Sequence, residues 1–462
     1  SDQCERIAIR PVEQKAILAA GFESEVNEEL FRYHVARIWA NSPETCLQGI
    51  RKLMPGCVLE VDIDSLDQRR WEWFSLRDLA RPEFATRLAE MPREEGVDLL
   101  ETAIQKAVDR RMASEVPLAL LCSGGIDSSL ISTLAAQRQA GLCAYVLSVP
   151  GYPQWDETHY AKMVADHAGL ELVPVEVTRE SWRSELVGVI AHFEYPFWIE
   201  SGIGLSLLAG RARSDGFAVL IGGEGADETF GGYDYKHAAE RAAVAEEMGS
   251  PPPELTFNNR TWPVDPSLDK LLGIGEPPAS HLRWRESQIA AAKAASEYLG
   301  GASAAMRAAF IAELRLFLEP SLTKLDKSTM RWSVEMREPF LDSELVGTST
   351  SMPLRRLLYP KAKGILRDVA ARHLPREILQ RSKIGFSLDP APFLLGQVRP
   401  EFLRDGMLRD LLGIRKDWKL LKFLEDGEHR GRAVCRILCA EIWLRLFGAR
   451  QSVQQVEAEL WT

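Results

Sequence analysis

The sequence contains no long apolar run. No stretch approaches the roughly 20 apolar residues that a membrane-spanning helix requires, and residues 1–20 carry charges where a secretory signal peptide has an uninterrupted apolar segment. We therefore expect no contact with a membrane and a location in the cytoplasm.

An excess of positive charge is also missing. The 462 residues include 56 lysines and arginines against 66 aspartates and glutamates, which gives a net charge of −10. Proteins that bind nucleic acid normally concentrate positive charge, because neutralising the phosphates releases counterions. Nucleic acid is therefore not an expected partner.

The seven cysteines form no Cys-x-x-Cys pair. Their odd number and scattered spacing indicate neither a disulfide framework nor a thiolate metal site, and this agrees with a reducing compartment. Cys435, Cys439 and Trp443 are spaced four residues apart, as on one face of a helix, and they predict a buried helical stripe.

From residue 116 onward, short apolar runs alternate with helical patterns. The runs predict strands at 116–122, 144–149, 172–177 and 217–221, and the segments after them predict helices at 127–139, 157–167, 182–192 and 205–214. Such alternation indicates an α/β fold with a doubly wound parallel sheet. Ligands are expected at the carboxyl ends of its strands.

The rest of the sequence predicts the domain organisation. Short β-like runs at 6–9 and 57–61 lie on either side of a helical pattern at 28–39. We predict five units, namely a small β-containing N-terminal segment (1–62), a linker and helix (63–112), the α/β core (113–235), a helical insertion or lid (236–310) and a helical C-terminal half (311–462).

The segment that says most about function is Ser-Gly-Gly-Ile-Asp-Ser-Ser at residues 123–129. It lies where an apolar strand turns into a helix, so its glycines let the main chain approach an anion and the first helical N–H groups point at that anion. Asp127 would repel a phosphate unless a cation intervened, and Mg²⁺ is the natural candidate. The lysine of the P-loop is missing. The alternative is an ordinary turn with Asp127 as the helix cap.

This segment resembles the Ser-Gly-Gly-x-Asp-Ser pyrophosphate loop of the ATP pyrophosphatase superfamily, whose members cleave ATP between its α- and β-phosphates. Further blocks are similar to the asparagine synthetase family, and they lie at 223–233, 325–330, 337–342, 363–367 and 381–386. The resemblance implies an ATP-dependent ligase that adenylates a carboxylate, releases pyrophosphate and transfers ammonia or an amine to give an amide.

The resemblance also implies roles for individual residues. Those expected to bind ATP and its pyrophosphate are Leu121, Ser123, Gly124, Gly125, Asp127, Ser128, Ser129, Leu147, Gly222 and Gly223. Asp127 and Asp227 would share Mg²⁺, so ATP and Mg²⁺ are the expected cofactors. Glu224 would orient the amine and accept its proton, and Lys383 would stabilise negative charge during both chemical steps.

Glu224 helps to choose among related reactions. The ring-closing β-lactam synthetases have tyrosine at the matching position, so this glutamate favours amide transfer. A lasso-peptide cyclase, in which the substrate itself supplies the amine, and a non-catalytic interaction protein stay open as alternatives. The substrate is expected to be a small-molecule or peptide carboxylate, with nitrogen from glutamine, free ammonia or a substrate amine.

Glutamine-dependent asparagine synthetases begin with a glutaminase domain whose nucleophile is an N-terminal cysteine, whereas this sequence begins with Ser1. Residues 8–21 and 49–56 resemble segments near the end of that domain, so residues 1–62 are predicted to be its C-terminal remnant. Because unpaired strand edges favour association with another chain, we expect a partner chain that completes the glutaminase-like sheet, or a homodimer.

Overall fold

The computed structural model describes residues 13–37, 39, 42–196, 200–232, 266–382, 388–394, 397–413 and 427–461. Its strands are β1 (Cys57–Val61), β2 (Gln68–Glu72), β3 (Leu118–Leu121), β4 (Cys143–Ser148), β5 (Glu171–Glu176), β6 (Val219–Ile221) and β7 (Glu335–Arg337).

Helices connect the strands and form the C-terminal part of the chain. Up to residue 230 they are α1 (Gln14–Ala19), α2 (Glu28–Arg37), α3 (Pro82–Glu90), α4 (Arg93–Met112), α5 (Ile126–Arg138), α6 (Thr158–Ala168), α7 (Arg179–Phe193), α8 (Glu200–Ser214) and α9 (Ala226–Phe230). After residue 265 they are α10 (Pro266–Leu272), α11 (Ala279–Ser296), α12 (Gly301–Leu316), α13 (Leu318–Met330), α14 (Ser343–Ser351), α15 (Leu354–Leu358), α16 (Gly364–Ala370), α17 (Arg376–Gln380), α18 (Ala391–Leu394), α19 (Pro400–Arg404), α20 (Met407–Leu411), α21 (Gly427–Trp443) and α22 (Val453–Leu460). Single turns of 3₁₀-helix lie at Leu76–Leu79, Glu297–Leu299 and Pro339–Leu341, and a π-helical turn lies at Leu444–Gly448.

Strands β3 to β7 form one sheet in the order β5-β4-β3-β6-β7, and every neighbouring pair is parallel. The chain builds outward from β3 to β5 and then returns to β6 on the other side of β3. Connections therefore leave β3 and β6 in opposite directions, and such a change of direction opens a crevice where ligands bind in α/β sheets. The loops after β3 and β6 lie on either side of this crevice.

Helices cover both faces of the sheet. Leu118 and Leu120 of β3 pack into one core, together with Leu130 of α5. Ala119, which lies between them and faces the other way, packs into a second core with Trp182 of α7. Burial on both faces explains why the central strands β3, β4 and β6 are almost entirely apolar. It also confirms the predicted α/β class with a doubly wound parallel sheet and a helical C-terminal half.

The sequence predicts four strands of this sheet, and all four are present within a few residues of the expected bounds. The prediction missed β7, which has three residues and pairs with β6 at the edge of the sheet. Only the central residue of β7, Met336, packs against the core. A three-residue strand with charged residues at both ends gives no apolar run, so periodicity could not reveal it.

A second, antiparallel sheet of two strands lies near the N-terminal end, where Cys57 of β1 is opposite Glu72 of β2. The predicted strand at 57–61 and the predicted helix at 28–39 are both present. Strand β2 falls in the segment predicted to be a linker, and the predicted strand at 6–9 lies outside the described residues. The division into five units stays a prediction.

The predicted helical stripe of Cys435, Cys439 and Trp443 lies on α21, and all three side chains are buried. The Trp443 ring packs 5.4 Å from the ring of Phe31 on α2. This contact attaches α2 to the core formed around the parallel sheet. No helix within the described ranges is both long and apolar enough to cross a membrane.

Candidate functional site

The first loop of the site, residues 122–125, connects β3 to α5. Gly124 has a φ of +73°, and a Cβ there would lie 2.5 Å from the Cβ of Tyr160 and 2.7 Å from the backbone nitrogen of Ala161. Both the backbone angle and the closeness of α6 therefore require glycine. Gly125 is the N-cap of α5, so the free N–H groups that begin this helix lie at the loop.

Two hydroxyl groups shape this loop. The Oγ atoms of Ser123 and Ser128 are 3.1 Å apart, and the backbone nitrogens of Ser123 and Gly125 donate to Ser128 Oγ and Ser123 Oγ at 3.2 and 3.3 Å. Ser129 is fully buried, and its hydroxyl lies at the thiol of Cys122. Of the three hydroxyls predicted to contact phosphate, two lie at the loop and that of Ser129 lies behind it.

Replacing Gly124 with alanine is expected to lower the free energy of unfolding by about 1–3 kcal/mol more than the same change at Gly141, because the added methyl group meets the backbone of α6. Gly141 has a φ of +72° and open space around it. Gly141→Ala therefore introduces the same backbone strain without the clash. Denaturant unfolding of both variants measures the difference, and equal losses would show that the contact with α6 does not require glycine.

The second loop, residues 222–225, follows β6 and leads into α9. It lies directly against the first loop, since a Cβ on Gly223 would be 2.7 Å from the backbone nitrogen of Ser128. On its other side, a Cβ on Gly222 would be 2.7 Å from Oε1 of Glu338, the residue after β7. The two glycines thus allow the loops after β3, β6 and β7 to meet.

Asp127 and Asp227 converge on one cation, the ammonium group of Lys363. Its Nζ lies 2.6 Å from Oδ2 of Asp127 and 2.6 Å from Oδ1 of Asp227, and the lysine side chain is 6% exposed. Burial lowers the pKa of Lys363, but the two carboxylates more than reverse this effect and the pKa lies well above its ordinary value. The sequence places Lys363 in a family-like block but gives no sign that it reaches the strand loops.

The two aspartates also suit a magnesium ion. Their carboxylate oxygens lie within 2.6 Å of one point, which the Lys363 ammonium occupies, and carboxylate oxygens are ligands that Mg²⁺ prefers. Among the residues that the structure describes, no group of three or more histidine, cysteine, aspartate or glutamate side chains is placed to hold a metal. Mg²⁺ commonly binds through one or two carboxylates together with phosphate oxygens and water, so these residues fit an ion that arrives with a phosphate.

Glu224 is held by contacts on two sides. Its backbone nitrogen donates to Oε2 of Glu338 at 2.7 Å. Its carboxylate accepts a hydrogen bond from Ser321 and lies 3.9 Å from Nζ of Lys324. Ser321 and Lys324 are three residues apart on α13 and thus face the same way. The sequence gives no role to Ser321, Lys324 or Glu338, because their contribution depends on how α13 and β7 pack beside the second loop.

Glu338 is a buried acid, 8% exposed. Burial and the negative charge of Glu224 raise the pKa of Glu338 well above its ordinary value. This environment favours the protonated, neutral form of the carboxyl group, whose Oε2 still accepts the Glu224 N–H.

Replacing Glu338 with glutamine is expected to flatten the pH dependence of stability. Because the folded-state pKa of Glu338 is raised, the folded protein keeps a proton that the unfolded chain has released. The free energy of unfolding therefore falls as the pH rises from about 4.3, the unfolded value, towards the folded pKa, by at most about 1.4 kcal/mol per pH unit. Glutamine keeps the acceptor oxygen but does not titrate.

Unfolding free energies measured between about pH 5 and 8 test this expectation. The unfolding free energy of Glu338→Gln should decline less steeply with rising pH than that of the wild type. Glu90→Gln, which changes an exposed glutamate at the end of α3, should show the wild-type slope. The same slope in all three proteins would show that Glu338 does not hold a proton in the fold.

Lys383, predicted to be catalytic, lies outside the described residues. The segment before it contacts the first loop through Arg381, which forms an ion pair with Glu157 and donates to the backbone oxygen of Ser123 at 3.4 Å. The guanidinium also lies 4.3 Å from the ring centroid of Tyr160. The chain that leads to Lys383 therefore starts at the loop predicted to bind pyrophosphate.

Leu121 and Leu147, the two residues expected to meet adenosine through their backbone groups, lie on the adjacent strands β3 and β4. Each is at or near the carboxyl end of its strand, on the side of the sheet where the two loops lie. Their contact with a nucleotide stays a prediction.

A glycine-rich strand-to-helix turn at the switch point of a parallel sheet, with two carboxylates converging beside it, is typical of α/β proteins that bind nucleotides. The comparisons with known proteins narrow this class. The sequence profile of the asparagine synthase family matches residues 99–445. The chain therefore belongs to the asparagine synthase family.

The sequence identities to individual relatives are low. Glutamine-hydrolysing asparagine synthetase 1 of Bacillus subtilis is 25% identical over 470 residues, covering 93% of this chain and 71% of its own length. A Mycobacterium tuberculosis protein provisionally named a glutamine-hydrolysing asparagine synthetase is 24% identical over 393 residues, or 79% of this chain. This chain spans 58% of the mycobacterial relative. The asparagine synthetase of Asparagus officinalis is 26% identical over 63% of this chain and 42% of its own length.

Proposed function

We propose that this chain is an ATP-dependent amide-forming ligase that adenylates a carboxylate and then transfers ammonia or an amine to it. The observation that supports this most directly is the meeting of Asp127 and Asp227, from the first turns of α5 and α9, beside the glycine turn at 123–125. Membership of the asparagine synthase family supports the same class of reaction.

The first step would give the carboxylate a leaving group. An oxygen of the acid attacks the α-phosphorus of ATP, the bond from that phosphorus to the oxygen bridging to the β-phosphate breaks, and pyrophosphate departs. The turn at 123–125, Ser128 and the start of α5 would bind the departing pyrophosphate. Asp127 and Asp227 would hold Mg²⁺, which when bound neutralises charge on the phosphate oxygens. Lys363, whose Nζ lies 2.6 Å from both carboxylates, would supply a second positive charge next to that ion.

The second step would form the amide. The amine nitrogen attacks the acyl carbon, the bond between that carbon and the AMP oxygen breaks, and the proton on nitrogen passes to a base. Glu224 is the proposed base, since it lies on the second loop, just before the helix α9 that contributes Asp227. Its carboxylate is oriented by the Ser321 hydroxyl, and a base held in one orientation accelerates such transfers. Lys383 would stabilise the negative charge of both steps.

The relatives' names make L-aspartate the first acid to test and ammonia, released from glutamine, the first nitrogen source.

A partner chain or a second copy could dock at the β1–β2 sheet, because all five residues of β2 are exposed. Size-exclusion chromatography with light scattering measures this association, for the chain by itself and for the chain mixed with a glutaminase. A mass equal to one chain in both samples would contradict the proposal.

The test of the proposed function is the set of products. The chain is incubated with ATP, MgCl₂, ammonium chloride and a panel of carboxylic acids that begins with L-aspartate. Acid-dependent formation of AMP and pyrophosphate is expected, whereas ADP and phosphate would overturn the proposal. Mass spectrometry identifies the second step, because amide transfer adds nitrogen to the acid and ring closure only removes water.

A further inference from the structure

The proposed base of the second step already has a cation beside it. Nζ of Lys324 lies 3.9 Å from Oε1 of Glu224 and 3.3 Å from the hydroxyl of Ser321, which itself donates to the same Oε1. The Lys324 side chain is only 12% exposed, so solvent screens this charge less than it would at the surface. The lysine is thus part of the site.

Lys324 pairs with Glu224, and two further acids lie nearby. Glu338 faces Glu224 from β7, and its burial favours the neutral form. Glu228, buried on α9, is a third acid that influences Glu338. An amine entering beside Glu224 therefore meets a carboxylate whose charge is already offset by a lysine.

This matters because most ammonia and most simple amines are protonated near neutral pH. The protonated form has no lone pair and cannot attack the acyl carbon, yet it is attracted to an uncompensated carboxylate such as that of Glu224, whose side chain is 31% exposed. A lysine fixed beside that carboxylate removes this attraction and repels a second cation. A neutral amine is unaffected by the charge and can still pass its proton to Glu224.

We propose that Lys324 determines specificity at the nucleophile subsite, by excluding ammonium and alkylammonium cations and admitting neutral amines. This inference rests on the proposed function and adds to it the chemical form in which the nucleophile is accepted. The step itself is unchanged: nitrogen attacks the acyl carbon, the carbon–oxygen bond to AMP breaks, and one proton moves from nitrogen to Glu224.

Competition at a single pH tests the proposal. Hydroxylamine, which is uncharged near neutral pH, serves as the nucleophile with L-aspartate and ATP, and hydroxamate formation is measured. Methylammonium chloride is the competitor, and sodium chloride at the same concentration controls for ionic strength. Methylammonium should leave the wild-type rate within about twofold, whereas it should slow Lys324→Met by about tenfold or more.

Two further variants separate specificity from general damage. Lys324→Arg keeps the positive charge and should restore resistance to methylammonium. Lys106→Met is the control, because it removes the lysine of a similar but exposed ion pair, in which Nζ of Lys106 on α4 lies 3.8 Å from Oε1 of Glu344. Its rate should respond to methylammonium like that of the wild type. Equal inhibition of the wild type and Lys324→Met, or sensitivity in Lys324→Arg, would overturn the inference.

The exchange of pyrophosphate into ATP reports on the first step alone. Lys324→Met should still catalyse aspartate-dependent exchange, because the contacts of Lys324 are with Ser321 and with Glu224, the proposed base of the second step. If Lys324→Met catalyses exchange but responds to methylammonium like the wild type, this inference fails and the proposed function stands. If the wild type shows no exchange with any acid, both this inference and the proposed function fail.

Discussion

Asp127→Asn is expected to slow acid-dependent pyrophosphate release by at least about a hundredfold, which corresponds to a few kcal/mol of lost transition-state stabilisation. Asparagine has nearly the same shape as aspartate but cannot supply the negative charge that would hold Mg²⁺ against the phosphates. The same substitution removes one of the two carboxylates on Lys363. Asp227→Asn should have a similar effect, because its carboxylate lies at the same distance from that lysine.

The measurement is the initial rate of pyrophosphate release with the acid identified in the panel of carboxylic acids. Asp166→Asn is the matched control, because Asp166 forms an ion pair with Lys162 at 2.8 Å on the exposed face of α6. This variant should retain wild-type activity. Asp127→Asn should stay folded, because Lys363 keeps Asp227 as a partner. A folded Asp127→Asn protein with a wild-type rate would show that the pyrophosphate site lies elsewhere.

Lys363→Met is expected to lower the free energy of unfolding by about 3–5 kcal/mol, as is typical when one partner of a buried ionic group is removed. Methionine has a similar length and fills the space. It leaves Asp127 and Asp227 facing each other without the cation that now lies 2.6 Å from each. Two carboxylates in such a position repel one another unless one of them takes up a proton or a metal.

Thermal and denaturant unfolding, with and without MgCl₂, test this expectation. Magnesium should stabilise Lys363→Met more than the wild type, because the ion can replace the missing positive charge between the aspartates. Lys162→Met, which breaks an exposed pair with Asp166, should cost at most about 1 kcal/mol. If Lys363→Met loses no more stability than Lys162→Met, the lysine does not hold the two loops together.

The core of the sheet could be predicted from the sequence because burial on both faces makes its strands continuously apolar. The turn at 123–125 could be predicted for a related reason, since a strand, two glycines and a helix follow one another without interruption. The placement of Asp127 near Asp227 follows from topology alone, once their loops are assigned to β3 and β6 as neighbours.

Other parts of the site depend on contacts between distant segments. Lys363 precedes a helix more than 200 residues after Asp127, and nothing in its local sequence shows that its side chain reaches back between two strand loops. Lys324 and Glu338 act through the packing of α13 and β7 beside the second loop, and β7 is too short to be found by its pattern. Ser129 shows that a motif names a residue without fixing the direction of its side chain, since the residue is fully buried. Its contact with pyrophosphate stays a prediction.

The side-by-side arrangement of the loops after β3, β6 and β7 has a consequence for protein engineering. Neighbouring strands lie about 4.8 Å apart, so groups proposed for ATP chemistry and groups proposed for the incoming nucleophile occupy successive positions along the sheet. Ser321, Lys324 and Glu338 belong to elements that do not form the turn at 123–125. Under the proposed function, substitutions at Ser321 and Lys324 would change the surroundings of the incoming nucleophile, whereas a substitution at Glu338 would also disturb the packing against Gly222, which is predicted to bind ATP.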